Sequence, residues 1–191
     1  AELQTISNAT SGTITLNNND GYAVALTGAS DVLAEALGGS FAAAFTGTVT
    51  TTDAPTLPEL KAINNATSGA VTISALHRNG ALTGSAEDLA AAFDGITNYT
   101  GALTTNAVHT LAQLKTINNA TAGTVTIGDA FLGQALEGTA ADLAAALDGI
   151  TNYTGAITVT GANYTLAELQ TISNATAGTI TLNNNDGYAV A

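Results

Sequence analysis

The sequence predicts an α/β repeat array, a solenoid of short helix–strand units whose parallel strands stack along one axis. Three observations carry this. The stretch Ala1 to Ala25, AELQTISNATSGTITLNNNDGYAVA, returns at Ala167 to Ala191 with one change, Ser11 against Ala177, at an offset of 166 residues. Inside that block a shorter unit of about 55 residues recurs, marked by Leu3, Leu60, Leu114 and Leu169. Each half of a unit then switches from a helical to a strand-like apolar period. The expected organisation is one array over residues 1–191, with units 1–56, 57–110 and 111–165 and a partial unit 166–191.

The first half of each unit opens on a capping box. Thr56-Leu-Pro-Glu59, Thr110-Leu-Ala-Gln113 and Thr165-Leu-Ala-Glu168 each place Thr three residues before Glu or Gln, so that two orphan amides at the helix start can be satisfied reciprocally. Pro58 falls in the first turn, where a missing N–H costs little. Leu57, Leu60 and Ile63, with Leu111, Leu114, Ile117 and Leu166, Leu169, Ile172, form one apolar face. The helix is expected to stop at NATSG or NATAG through a left-handed Asn or Gly cap.

Strands are expected after Gly12, Gly47, Gly69, Gly101, Gly123, Gly155 and Gly178. In Thr13-Ile-Thr-Leu16, Ile14 and Leu16 point one way and the threonines the other. Strands joined through a helix pair in parallel by right-handed crossovers. Seven such strands would stack about 4.8 Å apart, and one block, adding six of them, would advance by roughly 29 Å. A second apolar piece in each unit, Tyr22-Ala-Val-Ala-Leu-Thr-Gly28, Gly80-Ala-Leu-Thr-Gly84 and Gln134-Ala-Leu-Glu-Gly138, is expected to form a minor parallel row. The second half of each unit starts at Ser30, Ser85 or Thr139 as a cap. Asp31, Asp88 and Asp142 follow in the first turn, where the helix dipole favours an acid. Leu33/Leu37, Leu89/Phe93 and Leu143/Leu147 supply its core face.

Composition narrows function. The net charge is −12, and Lys61, Arg78 and Lys115 are the only basic residues. Nucleic acid requires clustered cations to displace phosphate counterions, and an anionic membrane surface requires them as well. Neither partner is expected, and no apolar run approaches the roughly 20 residues that span a bilayer. There is no cysteine, so neither disulfides nor thiolate metal sites are available. Charged residues are only 9% of the chain. The polar surface is therefore built from Thr, Asn, Ser and Gly.

The phrases TLAQLKTINNATAGTVTI and TAADLAAALDGITNYTGAITVT resemble repeats of very long surface and secreted proteins of bacteria, cyanobacteria among them. The resemblance covers the whole chain. It implies an extracellular, rod-like or fibrous region, and the acidic, cysteine-free composition is similar to that of proteins exported unfolded by a type I route. Such proteins often carry calcium-binding GGxGxD repeats. That string does not occur here, so calcium dependence is not carried over.

Four groups of residues are candidates for function. The outward threonines Thr13/Thr15, Thr48/Thr50, Thr124/Thr126 and Thr179/Thr181, with Thr72, Thr104 and Thr158, would form a flat array of the kind that binds ice or a regular polysaccharide. Ala70, Ala102 and Ala156 interrupt it, and Thr is also an ordinary solvated strand residue. Asn8, Asn65, Asn98, Asn119, Asn152, Asn163 and Asn174 each stand in Asn-x-Thr, an N-glycan acceptor pattern. The favoured alternative is a buried or half-buried Asn row bonded to backbone at each turn. Asp20, Asp94, Asp129, Asp148 and Asp186 lie in expected turns; calcium needs six to eight oxygens, and Asp-Gly is ordinary turn chemistry. His77 and His109 occupy non-equivalent positions, with Asn19-like and Asn163-like counterparts elsewhere, and neither has a partner at metal-ligand spacing. Almost every feature recurs, whereas an active site is a unique place, so no enzyme activity, catalytic residue or cofactor is expected. The expected role is a structural segment of a long extracellular protein that stacks with neighbouring repeats or copies into a fibre, stalk or sheath. The alternative is an adhesin or an ice- or glycan-binding module.

Overall fold

The computed structural model describes residues 2–16 and 19–183. The far end of the block recurrence, with Asp186, and the turn residues Asn17 and Asn18 lie outside the described residues. Among the described residues are seven helices: α1 (Glu2–Ala9), α2 (Ser30–Leu37), α3 (Leu57–Ala66), α4 (Ala86–Phe93), α5 (Leu111–Ala120), α6 (Ala140–Leu147) and α7 (Leu166–Ala175). Nine strands alternate with them: β1 (Leu26–Gly28), β2 (Val49–Thr51), β3 (Val71–Ile73), β4 (Leu82–Gly84), β5 (Leu103–Thr105), β6 (Val125–Ile127), β7 (Leu136–Thr139), β8 (Ile157–Thr160) and β9 (Ile180–Asn183). Short 3-10 turns occupy Asn19–Tyr22 and Asp129–Phe131.

The fold is mixed α/β, with parallel pairing throughout its sheets, but the strands do not form one sheet. They form three sheets, β1-β2-β3, β4-β5-β6 and β7-β8-β9. The second apolar pieces make no separate row. They are β1, β4 and β7, the leading edge strand of each sheet. The segment after Gly12 is not a strand; Ile14 makes only an isolated bridge to Phe41.

A geometric mismatch accounts for the breaks. Consecutive helices pack in chain order, α1 on α2 through to α6 on α7. Packed helices stand about 8–10 Å apart, twice the strand spacing. One strand per helix would leave a flat sheet far shorter than the helix row. The chain places three strands against every two helices and interrupts the sheet between units.

The helix starts follow the sequence. Complete capping boxes form at Thr56/Glu59, Thr110/Gln113 and Thr165/Glu168. Ser85 and Thr139 cap α4 and α6 through the amides of Asp88 and Asp142. Ser30 does not cap α2; it lies inside the helix behind Ala29, and its amide donates to Asp53 Oδ1 at 2.8 Å.

Helix ends differ from expectation. α3, α5 and α7 run through Asn-Ala and stop at Thr67, Thr121 and Thr176, which are extended. The left-handed glycines lie elsewhere: besides Gly161, Gly95 and Gly149 have φ of +73° and +72°. They follow Asp94 and Asp148 in tight turns closed by Ile96 N–H to Phe93 O and Ile150 N–H to Leu147 O, both 3.0 Å.

The core lies between helices and sheets. Leu60, Ile63, Leu89, Phe93, Leu114, Ile117, Leu143 and Leu147 are fully buried. Ala86, Ala92, Ala140 and Ala146 are buried beside them, so much of the alanine content serves close helix packing. Phe93 and Tyr99 meet edge to face at 4.8 Å between ring centres, a preferred aromatic geometry.

Candidate functional site

The residues with the most specific geometry lie where one strand passes under the next. A Cβ on Gly69 would fall within 3.0 Å of the Gly47 carbonyl, and one on Gly123 would meet Gly101 in the same way. Gly178 faces Gly155, while Gly47, Gly101 and Gly155 face the carbonyls of Val24, Gly80 and Gln134. Each sheet thus needs two glycines at its second and third strands. Its leading strand, with nothing beneath it, tolerates Val, Gly or Gln.

Threonine stitches these crossings. Thr121 Oγ1 donates to Gly101 O at 2.7 Å and accepts from Gly123 N–H at 2.9 Å. Thr67 does the same between Gly47 and Gly69, and Thr176 between Gly155 and Gly178. Tyrosine closes the other end. Tyr99 Oη donates to Gly80 O at 2.7 Å, and Tyr153 Oη donates to Gln134 O. Burial raises the pKa of both phenols, Tyr153 to about 12.

These contacts give Asn-Ala-Thr and Asn-Tyr-Thr a role that needs no glycan. The sequon asparagines themselves, Asn8, Asn65, Asn98, Asn119, Asn152, Asn163 and Asn174, are all exposed, so they are not a buried row. The backbone-bonding amides belong to the preceding residue in two units. Asn64 Nδ2 donates to Ala91 O and Asp94 O, and Asn118 Nδ2 to Ala145 O and Asp148 O. Sequence reasoning passed over Asn64 and Asn118 because only their neighbours match a modification pattern.

The outward threonines align in register only within each sheet: Thr27, Thr50 and Thr72; Thr83, Thr104 and Thr126; then Glu137, Thr158 and Thr181. Thr27 and Thr83 were not singled out by the sequence, because their strands were assigned to another row. Thr13 and Thr15 lie outside the sheets, and Thr48, Thr124 and Thr179 stand just before their strands. All five are exposed, whereas Thr50, Thr104 and Thr158 are half-buried. The surface is three short ladders rather than one continuous array.

The aspartates are scattered. Asp94, Asp129 and Asp148 are exposed on separate turns, and the described residues contain no group of three His, Cys, Asp or Glu able to hold a metal. Asp88 and Asp142 instead pair with Lys61 and Lys115, joining α3 to α4 and α5 to α6. The Lys61 ammonium lowers the Asp88 pKa, as Lys115 lowers that of Asp142.

The two histidines part company. His77 is half-buried in the turn after β3, its amide bonded to Ser74 O. His109 is buried, 2% exposed. Aligned on the Thr caps, its counterparts are Pro55 and Tyr164 rather than Asn163. Gln134 clamps its backbone, accepting from His109 N–H at 3.1 Å and donating to His109 O. The single Tyr153 hydroxyl proton goes to Gln134 O, so His109 Nε2–H donates to Tyr153 Oη across 3.3 Å. Desolvation lowers the His109 pKa, opposed by the Ala107 backbone.

Two surface depressions repeat with the units. A groove of about 400 Å³ lined by Asn64, Thr67, Gly69 and Asp94 has a counterpart of about 490 Å³ at Asn118, Thr121, Gly123 and Asp148. No helix among the described residues is long and apolar enough to cross a membrane. No protein-family model, curated protein or solved structure matches the chain.

Proposed function

We propose that this chain is a structural stretch of a long extracellular solenoid, in which helix–strand repeats stack end to end to build a fibre, stalk or sheath. The observation that carries this is the helix order. The strong helix–helix contacts all join consecutive helices, and the same units recur with the same ion pair 54 residues apart, Lys61–Asp88 and Lys115–Asp142. Such an arrangement lengthens by adding repeats, without redesign of any interface. Its chemistry agrees: the polar groups with specific partners bond to backbone or to neighbouring units, and the net charge of −12 opposes association with nucleic acid.

The test is length. Polypeptides carrying one, two and three 166-residue blocks are imaged by negative-stain electron microscopy. Six helices at 8–10 Å predict rods that grow by about 50–60 Å per block, with urea m-values rising in step. Beads joined by flexible gaps, with an unchanged m-value, would refute the reading.

A second reading treats the threonine ladders as a face for ice or a regular polysaccharide. The cross-strand register of Thr27, Thr50 and Thr72 supports it; the breaks between sheets weigh against it. Replacing Thr72 and Thr126 with Lys should abolish ice shaping or glycan retention if the face binds. Wild-type protein that does neither removes this reading.

A further inference from the structure

One polar cluster in this repeating chain is not repeated. At the seam between units 57–110 and 111–165, His109 stands where Pro55 and Tyr164 precede the other capping boxes. Gln134 stands where Val24 and Gly80 precede the strands β1 and β4. The two exceptions meet. Gln134 holds the His109 backbone from both sides, accepting from its N–H at 3.1 Å and donating to its carbonyl. The His109 ring meets the Tyr153 hydroxyl at 3.3 Å, and that hydroxyl donates to Gln134 O. One imidazole and one amide thus fasten the loop 106–110 to the unit that follows it.

The fastening suits a neutral ring alone. Nε2–H is engaged by Tyr153, and Nδ1 is buried with no hydrogen bond. A second proton would place a full charge on a residue that is 2% exposed, which is costly unless a buried counter-ion accompanies it. None does. The positions of Asp53 and Glu59 around the Thr56 cap are Ala107 and Gln113 around Thr110. On the neighbouring elements, Asp88 and Asp142 pair with Lys61 and Lys115, and Asp129 and Glu137 are exposed. Glu87, also exposed, is the one charged side chain lining the depression of about 360 Å³ beside His109. Water screens such a group. Only the Ala107 backbone favours the charged ring, and desolvation outweighs it.

The smallest opening that hydrates the ring is local. Asn106, Val108 and Thr110 are already exposed, Val108 by 70%. Lifting this loop uncovers His109 and little else, whereas unfolding the unit would uncover the core around Leu114 and Ile117.

We infer that His109 is a proton-operated latch between these two units. Protonation releases the ring from Tyr153 and the backbone from Gln134, so the loop 106–110 lifts and the seam loosens. The seam at Pro55, which has no ring nitrogen to protonate, stays shut. The latch lies within one chain and goes beyond the structural role proposed above.

The test is amide hydrogen exchange on the 191-residue chain between pH 7.5 and 5, corrected for intrinsic rates. The His109 amide reports on the latch. The Thr100 and Gly101 amides, bonded to Arg78 O, report on the unit before it. Opening at His109 should rise by up to about tenfold per pH unit below about 6.5, while Thr100 and Gly101 change by less than about twofold at the same unit energy scale. His109→Gln should make opening at position 109 independent of pH. Gln134→Gly, the residue of the counterpart crossing, should raise opening there already at neutral pH. A His109 amide equally protected at pH 7.5 and 5 would overturn the inference. So would loss of protection shared by Thr100 and Gly101, which would mean that the whole structure opens. Both outcomes are read on wild-type protein. A pH dependence at position 109 that survives His109→Gln would overturn it as well.

Discussion

The carbonyl of Gly80 stands directly over the Cα of Gly101, so close that no side chain fits between them. The relationship is one-sided. A Cβ on Gly80 would approach nothing nearer than the Tyr99 hydroxyl, at 3.5 Å, and the chain already carries Gln134 at the equivalent place. Gly101→Ala should therefore push two strands apart and cost about 1–3 kcal/mol, the range for overpacking. Gly80→Ala should stay within about 0.5 kcal/mol of wild type. Urea unfolding of both variants checks this, and equal effects would show that the close approach is not maintained in solution.

Much of this was legible beforehand because the signals are local. Thr56, Thr110 and Thr165 announce their helices by a fixed three-residue spacing to Glu or Gln, and all three boxes form. The apolar faces through Ile63 and Ile117 are read the same way. Sheet membership was not legible. Leu82-Thr-Gly84 and Val71-Thr-Ile73 follow one another in the chain yet belong to different sheets, and only the ratio of helix to strand spacing divides them. Thr13–Leu16 and Thr179–Leu182 share a sequence but not a structure, because β8 lies beside the second alone. The glycines were read as strand openers; their crowding by a carbonyl 20 or more residues away is a tertiary fact.

Thr105 is fully buried on the inner side of β5, and its hydroxyl has no hydrogen-bond partner. Thr51 repeats this in β2. The equivalent residue in β8 is Val159, buried to the same degree. A buried hydroxyl without a partner costs roughly 1–3 kcal/mol, and Val has nearly the same shape. Thr105→Val should raise stability by about 1 kcal/mol and the melting temperature by a few degrees. Thermal unfolding followed by circular dichroism gives the answer; a lower melting temperature would mean that the hydroxyl does find a partner.

His109 gives the chain a dependence on mild acid. Burial holds its folded-state pKa below the ordinary 6.5. Above that value the imidazole is neutral in both states and contributes no slope. Below it the unfolded chain takes up a proton that the folded chain refuses, so stability falls as pH drops from about 6.5 toward the folded pKa, by up to about 1.4 kcal/mol per unit. Asp88, Asp142, Glu35 and Glu59, whose folded pKa values are lowered, add their own losses only further into acid, where carboxylates titrate. Stability curves between pH 5 and 7 should slope in wild type and flatten in His109→Gln. A slope that survives the substitution would assign the dependence elsewhere.

Asn119 and Thr121 separate two explanations of one tripeptide. If Asn-Ala-Thr recurs as a modification signal, Asn119 is its essential residue and Thr121 matters only for recognition. In the structure Asn119 is exposed, while the Thr121 hydroxyl donates to Gly101 O and accepts from Gly123 N–H. Thr121→Val keeps the shape but leaves a half-buried carbonyl and amide without that bridge, at a cost of about 1–3 kcal/mol. Thr121→Ser retains the hydroxyl and should recover most of the loss. Asn119→Ala, at a solvated helix end, should change stability by less than about 0.5 kcal/mol. All three are read by urea denaturation of unmodified protein, where no glycan can contribute. A large loss at Asn119 with a silent Thr121→Val would reverse the assignment, and the threonine stitch would then not be what holds adjacent strands in register.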